Sequence, residues 1–531
     1  MPHWKSLQDD PGSATPSSTT TVLRLSIGTS SLQPSSIPTS KAVGLEPATS
    51  MRIRTFSAPR ASTSCCAPAH PVSTPAPRIS KTRSMTALRD GRTDYRTGPV
   101  RTWVRMEGRR TALGGGDNQP ENPTENPEMP PNNRRSAGSI VLALAAVDLM
   151  VAPATTLRVP GDYGTIQPAL AAAFAGDTVL VAPGTYSGSG NNTLDFLGKD
   201  LVLLGEGGAA ATKIECGGAP HGIALSSGET RAAVIEGFTV RGADNRDAGG
   251  GIVLTFQASP TIRGCVVEHN RTDFYGAGFY VASGASPLIE NCIIRDNMAD
   301  GRAGRGGGIL CSSSEAEIVH CLIERNFAHL SGGGIHCWSA SPTLRGCVIR
   351  SNEADIRAGG VYCKVESSPL LENCVIQDNQ SALGGASYCY VNCTPTFVNC
   401  VITGNRATET AGGIFCHVTS QPTLTNCILW DDEPGEIVLS GAEPIVRYCN
   451  IEGGWSGEGN IDADPRFVSY RGFDLLLAPA SPCVDVGDPT LEDAIYDSDP
   501  RWPAFYTNAA RSDIGAYGGP RNGIWVEDLG F

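Results

Sequence analysis

The sequence predicts an all-β solenoid of stacked parallel coils, and three recurring columns carry that prediction. An anchor cysteine recurs at Cys265, Cys292, Cys321, Cys347, Cys374, Cys400, Cys427 and Cys449, at spacings of 27, 29, 26, 27, 26, 27 and 22 residues. Five residues before these anchors stands a proline, from Pro260 to Pro444, except that Ala316 precedes Cys321. Five residues after the first six stands an asparagine: Asn270, Asn297, Asn326, Asn352, Asn379 and Asn405.

Glycine clusters such as Gly306-Gly307-Gly308 and Gly332-Gly333-Gly334 separate the asparagines from a second cysteine column, Cys311, Cys337, Cys363, Cys389 and Cys416. Each unit thus holds short β-branched runs, for example Pro342-Thr343-Leu344 and Cys374-Val375-Ile376, bounded by Gly, Asn, Ser and Pro turns. Strands this short bury no face alone. Stacking identical coils buries a continuous core and pairs every strand with the one above it. Equivalent positions recur in one direction, so the stacking is parallel, in a β-helix or another solenoid. The 62 glycines among 531 residues, with 6% aromatic and 18% charged residues, argue against a helix bundle.

Side-chain alternation in a strand points each anchor, and the residue two beyond it, inward. The residues one and three beyond it then face outward. The third position reads Glu268, Arg295, Glu324 and Arg350, alternating in sign, and is expected to pair between coils. The first reads Val266, Ile293, Leu322, Val348, Val375, Val401 and Ile428. This apolar column is a candidate docking stripe for a partner or a second copy, against the plainer reading that β-branched residues favour strands.

Units such as Ser341-Pro-Thr-Leu-Arg-Gly-Cys-Val-Ile-Arg-Ser-Asn352 and Gln421-Pro-Thr-Leu-Thr-Asn-Cys427 resemble the repeats of right-handed parallel β-helix proteins of the bacterial extracellular type, related in fold to pectate lyases. The resemblance covers roughly Leu157 to Gly519. It implies a right-handed parallel β-helix with a short N-terminal capping helix, and ladders of stacked asparagine and cysteine. The stretch from Val159 through an Ala-rich helix ending near Phe174 to Tyr186 is similar to the N-terminal capping coil. Asp464-Pro-Arg-Phe467, Ser481-Pro-Cys-Val-Asp485 and Asp513-Ile-Gly-Ala-Tyr517 resemble the usual C-terminal exit. Such motifs specify fold and leave activity open.

Residues 1–138 carry 18 Lys and Arg against 10 Asp and Glu, a net +8 that leaves −21 for the remainder. Residues 1–128 are rich in Ser, Thr, Pro and Arg without hydrophobic periodicity and are expected to be disordered or a mis-assigned upstream segment. Arg134-Arg135, the apolar run Ile140 to Val147 and Ala152-Pro153-Ala154 follow the order of a secretory signal peptide over 129–154. The expected mature chain is then one domain, 155–531, a parallel β-helix with a C-terminal cap, without a transmembrane segment.

The cysteine columns are expected to be reduced thiols packed as small apolar residues, because neighbours about 4.8 Å apart and pointing the same way fit disulfide geometry poorly. Cys389 and Cys393, near a turn and four apart, are the pair best placed to be an exception. No zinc-like Cys/His spacing rises above the repeat, and His269, His320, His329, His336 and His417 occupy different column positions. The acidic residues Asp296 and Asp378 are separated by Arg325 and Ser351 in the intervening coils, unlike the converging carboxylates of a hydrolase or a calcium-dependent lyase. Ser187-Gly188 also departs from the pectinesterase pattern, which has an acidic residue two after the tyrosine at Tyr186.

These observations single out no catalytic, cofactor-binding or metal-binding residue. Trp338, Trp430, Trp455, Tyr362, Tyr388 and Tyr390 are candidates for stacking on sugar rings, and Asp431-Asp432-Glu433 for binding a cation. Asp485, Asp488, Asp493, Asp497 and Asp499 form either a calcium loop or a set of turn-forming aspartates. Nothing indicates a nucleic-acid partner. The expected function is a secreted or cell-surface scaffold or adhesin that binds extracellular polysaccharide and has capacity for self-association. The alternative is a lyase, hydrolase or epimerase acting on an acidic glycan.

Overall fold

The computed structural model describes residues 153–470, 473–494 and 509–525. The upstream segment 1–128, all but the last two residues of the leader 129–154, and Asp497 and Asp499 lie outside them. From Thr156 the chain winds as a right-handed parallel β-helix. A helix, Ile166–Ala172, buries Ile166, Ala169 and Leu170 against the first coils, and Lys199 Nζ donates to the carbonyls of Leu170 and Ala173 at 2.6 and 2.8 Å. Among the described residues no helix is long and apolar enough to cross a membrane.

Four short strands make up a typical coil, as in Ile335–Trp338, Thr343–Arg345, Val348–Arg350 and Glu353–Ala354. Each pairs in parallel and in register with its counterparts one coil away. Strands of the kind Thr343–Arg345 build a 12-stranded sheet A, and Val348–Arg350 belongs to an 11-stranded sheet B. Ile335–Trp338 belongs to a 9-stranded sheet C, and Glu353–Ala354 to a 7-stranded sheet D.

Corner chemistry explains residues that look functional in the sequence. The corner from sheet A to sheet B is one left-handed residue, such as Gly264 (φ 57°), Asn291 (52°), Gly346 (56°) or Asn373 (52°). The corner from B to D is Asp296 (54°), Arg325 (52°), Ser351 (51°) or Asp378 (55°). Glycine, asparagine and aspartate tolerate this region best. Asp296 and Asp378 therefore serve the backbone, and Asp296 also pairs with Arg325 of the next coil at 2.9 Å.

Just past that corner the asparagines form a buried ladder. Asn352 Nδ2 donates to Asn379 Oδ1 at 3.0 Å and to the carbonyl of Ile323 at 2.9 Å, while its own Oδ1 accepts from the amide and side chain of Asn326. The same bonds run from Asn270 to Asn405 and end on Asp432 Oδ1. The glycine clusters follow from crowding at the entry to sheet C, where a Cβ on Gly333 would lie 2.3 Å from the carbonyl oxygen of Glu353.

Inside, the anchors and the residues two beyond them are fully buried, for example Cys347 with Ile349 and Cys374 with Ile376. All sixteen cysteines of the described residues are buried free thiols. Cys389 and Cys393, the pair best placed to be an exception, are free as well. Cys389 stacks between Cys363 and Cys416 in the second cysteine column, whereas Cys393 takes the small-residue corner position of Ser367 and Ser420 in the adjacent coils.

Outside, the expected charge pairing is present and extends a coil further down. Arg241 meets Glu215 at 2.6 Å, Arg295 meets Glu268 at 2.7 Å and Arg350 meets Glu324 at 2.9 Å. The apolar column beside it also faces outward, but the chain itself covers its upper part. After an antiparallel hairpin, Phe467–Tyr470 with Phe473–Leu477, the C-terminal segment lies on sheet B. There Val375, Val401 and Ile428 are buried against Leu476, Ile514, Ala516 and Tyr517. The expected stripe for a partner is, over this part, an intramolecular contact, and Val266, Ile293 and Leu322 remain half-buried beyond it.

Candidate functional site

The outer face of sheet C gathers most of the aromatic candidates. Strands such as Ile335-His336-Cys337-Trp338 alternate inward and outward, so two outward columns climb the face. In register, the first reads His336, Tyr362, Tyr388 and Phe415, and the second reads Trp338, Lys364, Tyr390 and His417.

The first column is outward but buried, because its rings stack on one another and under Ala358 and Ala411. Ring centroids are 4.9 Å apart for His336 and Tyr362, 5.4 Å for Tyr362 and Tyr388, and 4.9 Å for Tyr388 and Phe415. Such contacts add to the effect of area burial alone and hold the sheet's outer surface rigid. His336 Nδ1 sits 3.0 Å from Ser331 Oγ. Burial, and then the charge of Arg305, hold its imidazole well below the usual range, so it is neutral. Burial likewise pushes the Tyr388 hydroxyl up to about 12.

The second column is half-exposed. Lys364 Nζ lies 4.7 Å from the Trp338 ring centroid. Arg305 places its guanidinium 5.6 Å from the same ring and 5.5 Å from Tyr275, whose hydroxyl it reaches at 3.3 Å. Two coils along, Tyr390 and His417 stack at 5.0 Å. The result is a strip of ring faces and cations stepped at the coil repeat of about 4.8 Å, on a backbone fixed by parallel pairing.

Four of the six aromatic candidates, Trp338, Tyr362, Tyr388 and Tyr390, meet here. Trp430 packs instead against the C-terminal segment, and Trp455 against the end of the core. The remaining candidates separate. Asp431 is a left-handed corner, Asp432 ends the asparagine ladder and Glu433 pairs with Arg406 at 2.9 Å, so the three do not converge on a cation. Asp488 accepts from the amide and hydroxyl of Thr490, the turn-forming role, whereas Asp485 accepts from the amide of Ala509 and Asp493 from that of Gly519, capping backbone groups of a distant segment. Among the described residues no group of three or more His, Cys, Asp or Glu is placed to hold a metal ion. His269 and His320 are corner residues, and His329 pairs with Asp355 at 2.6 Å.

A groove also runs beside sheet D. One part, about 300 Å³, is lined by Glu353, Asp378, Gln380 and Arg406, and an adjoining part of about 550 Å³ by Gln380, Arg406, Glu433 and Pro434. Tyr275 and Arg305 carry no signal as site residues in the sequence, and Lys364 is not singled out there. Lys364 was nonetheless readable, since it stands one coil from Trp338 at the same offset from the second cysteine column.

The family model described as "Right handed beta helix region" matches residues 189–349 and 251–429. No curated protein matches the chain. Among solved structures, pectate lyase Pel9A is similar at 12% identity and a TM-score of 0.44, over 69% of this chain and 97% of that one. A PL6 family alginate lyase, AlyGC, is similar at 13% identity and a TM-score of 0.27, over 60% of this chain and 54% of that one.

Proposed function

We propose that this right-handed parallel β-helix protein is a secreted or cell-surface scaffold that binds extracellular polysaccharide along the outer face of sheet C. The observation that carries the reading is the half-exposed row Trp338, Lys364, Tyr390 and His417 with Arg305 beside it. A sugar ring offers an apolar C–H face to an aromatic ring and polar groups at its rim to cations and hydroxyls, and both are present in alternation. Rings already locked by the buried column beneath lose little freedom on binding, which favours affinity. The leader-like segment 129–154 supports export, and 155–531 is the proposed folded unit.

A second reading, an enzyme acting on an acidic glycan, is favoured by the carboxylates Glu353 and Asp378 beside Arg406 in the sheet D groove. A glycan array run in parallel with an assay for unsaturated sugar products separates the two. Retention without products supports the scaffold, and turnover of any acidic polysaccharide reverses the ranking.

A further inference from the structure

The asparagine ladder does not end on an asparagine. Its last member is Asp432, whose Oδ1 accepts from the main-chain amide of Asn405 at 2.7 Å and from its side-chain amide at 2.9 Å. A second carboxyl, Glu436, bends under it and accepts the amide of Asp432 on Oε1 at 3.0 Å. Both side chains are buried, at 5% and 7% exposure. That leaves Asp432 Oδ2 and Glu436 Oε2, both enclosed and both without a donor, on two side chains that the bond from the Asp432 amide to Glu436 holds side by side.

Among the described residues the surroundings supply no cation to compensate two negative charges. The other charged groups around the pair are Asp431, Glu433 and, from the coil above, Glu452, which accepts the amide of Asp431 at 2.8 Å. From the coil below, Arg406 reaches the region but is engaged by Glu433 at the surface. Two carboxylates side by side in a buried site cannot both ionise without a large penalty.

We infer that Asp432 and Glu436 share one proton at neutral pH, and that this carboxylic acid to carboxylate hydrogen bond closes the ladder as a pH-sensitive latch. The single proton satisfies both orphaned oxygens at once. It resides on Glu436, because the two donors of Asn405 stabilise the ionised form of Asp432. Burial raises both groups above the ordinary carboxylate range, and the neighbouring Asp432 charge raises Glu436 further.

For an acid whose folded pKa is raised, the stabilising contribution is complete below the unfolded pKa. It is lost as pH climbs through the folded value. The latch therefore holds at neutrality, takes up a second proton on Asp432 in acid and opens in alkali, loosening the coil that carries Glu433 and Pro434.

Infrared titration of the full chain tests this. The protonated carboxyl stretch should persist at pH 7 in the folded protein, disappear in Glu436→Gln, and titrate away at a lower pH in Asp432→Asn than in the parent. Glutamine donates the same hydrogen bond without titrating, and Asp432→Asn removes the neighbouring charge while leaving Glu436 buried, so it eases the ionisation of Glu436. The unfolding midpoint of Glu436→Gln should match the parent near pH 4 and exceed it increasingly toward pH 9. A folded parent with no protonated carboxyl band at pH 7, or a midpoint difference that does not change with pH, would overturn the inference. Should Glu436→Gln fail to fold, the band in the parent and its shift to lower pH in Asp432→Asn decide alone.

Discussion

The side-chain amide of Asn373 donates to the carbonyl of Ala516 at 2.8 Å, joining a coil corner to a segment 143 residues further along the chain. Asn399 and Asn426 occupy the same corner in the next two coils and do the same work. Asn399 reaches the carbonyls of Asp513 and Gly515 at 2.9 and 3.3 Å, and Asn426 accepts the amide of Asp488 at 2.7 Å. A column that exists to turn the chain through positive φ thus also clasps the C-terminal segment onto sheet B. Gly515 (φ 113°) completes the fit, because a Cβ there would lie 2.8 Å from Ile428 Cδ1.

The clasp makes Asn399→Ala and Asn399→Gly informative as a pair. Both leave buried carbonyls unpaired, at a cost of about 1–3 kcal/mol, and alanine adds the strain of the left-handed corner, about 1 kcal/mol or more. Denaturant unfolding should rank parent above glycine above alanine, and limited proteolysis should release the C-terminal segment sooner from both variants. Ending the chain at Asp464 should uncover Val375, Val401 and Ile428, and sedimentation should then show more self-association than in the full chain.

The ladder predicts a larger effect from an interior asparagine. Asn352→Ala orphans the amide and side-chain donors of Asn326 and the carbonyl of Ile323. The expected loss is about 3 kcal/mol or more, summed from buried unsatisfied groups. Chemical denaturation measures it, and a loss no larger than that of an exposed substitution such as Glu353→Ala would show the ladder to be incidental.

For the cysteines the expectation is silence in the native state. Burial pushes the thiols of Cys216, Cys393 and Cys483 up to about 12, so at pH 8 neither access nor thiolate is available to a reagent. Thiol labelling followed by peptide-mass analysis should report almost no modification of these cysteines in the folded protein and their full labelling after denaturation. Masses that pair Cys347 with Cys374 would contradict the stacked-thiol core.

The repeat was legible because every coil restates it: proline, cysteine and asparagine return at fixed offsets, and alternation then assigns their faces. What stayed hidden does not repeat as identical letters. The clasp column reads Gly346, Asn373, Asn399 and Asn426 below Tyr448, so its second role in tying down the C-terminus is masked by residues chosen for backbone conformation. The aromatic columns mix His336, Tyr362, Tyr388 and Phe415, which share size and outward direction but not identity. Asp432 stands 27 residues after Asn405, the ladder spacing, yet its acidic neighbours Asp431 and Glu433 suggested a cation cluster in place of a ladder end. The C-terminal segment lies outside the repeat, so nothing in the columns announced that it would cover Val375, Val401 and Ile428.

The most direct measurement is retention of the full chain on immobilised polysaccharides, acidic and neutral, compared with the double variant Trp338→Ala and Tyr390→Ala. Each aromatic contact of this kind contributes about 0.5–1.5 kcal/mol beyond area burial, so losing two should weaken binding by roughly one to two orders of magnitude at an unchanged unfolding midpoint. Retention that survives the double variant, or that is lost on Glu353→Gln and Asp378→Asn in the sheet D groove, would contradict a binding face on sheet C.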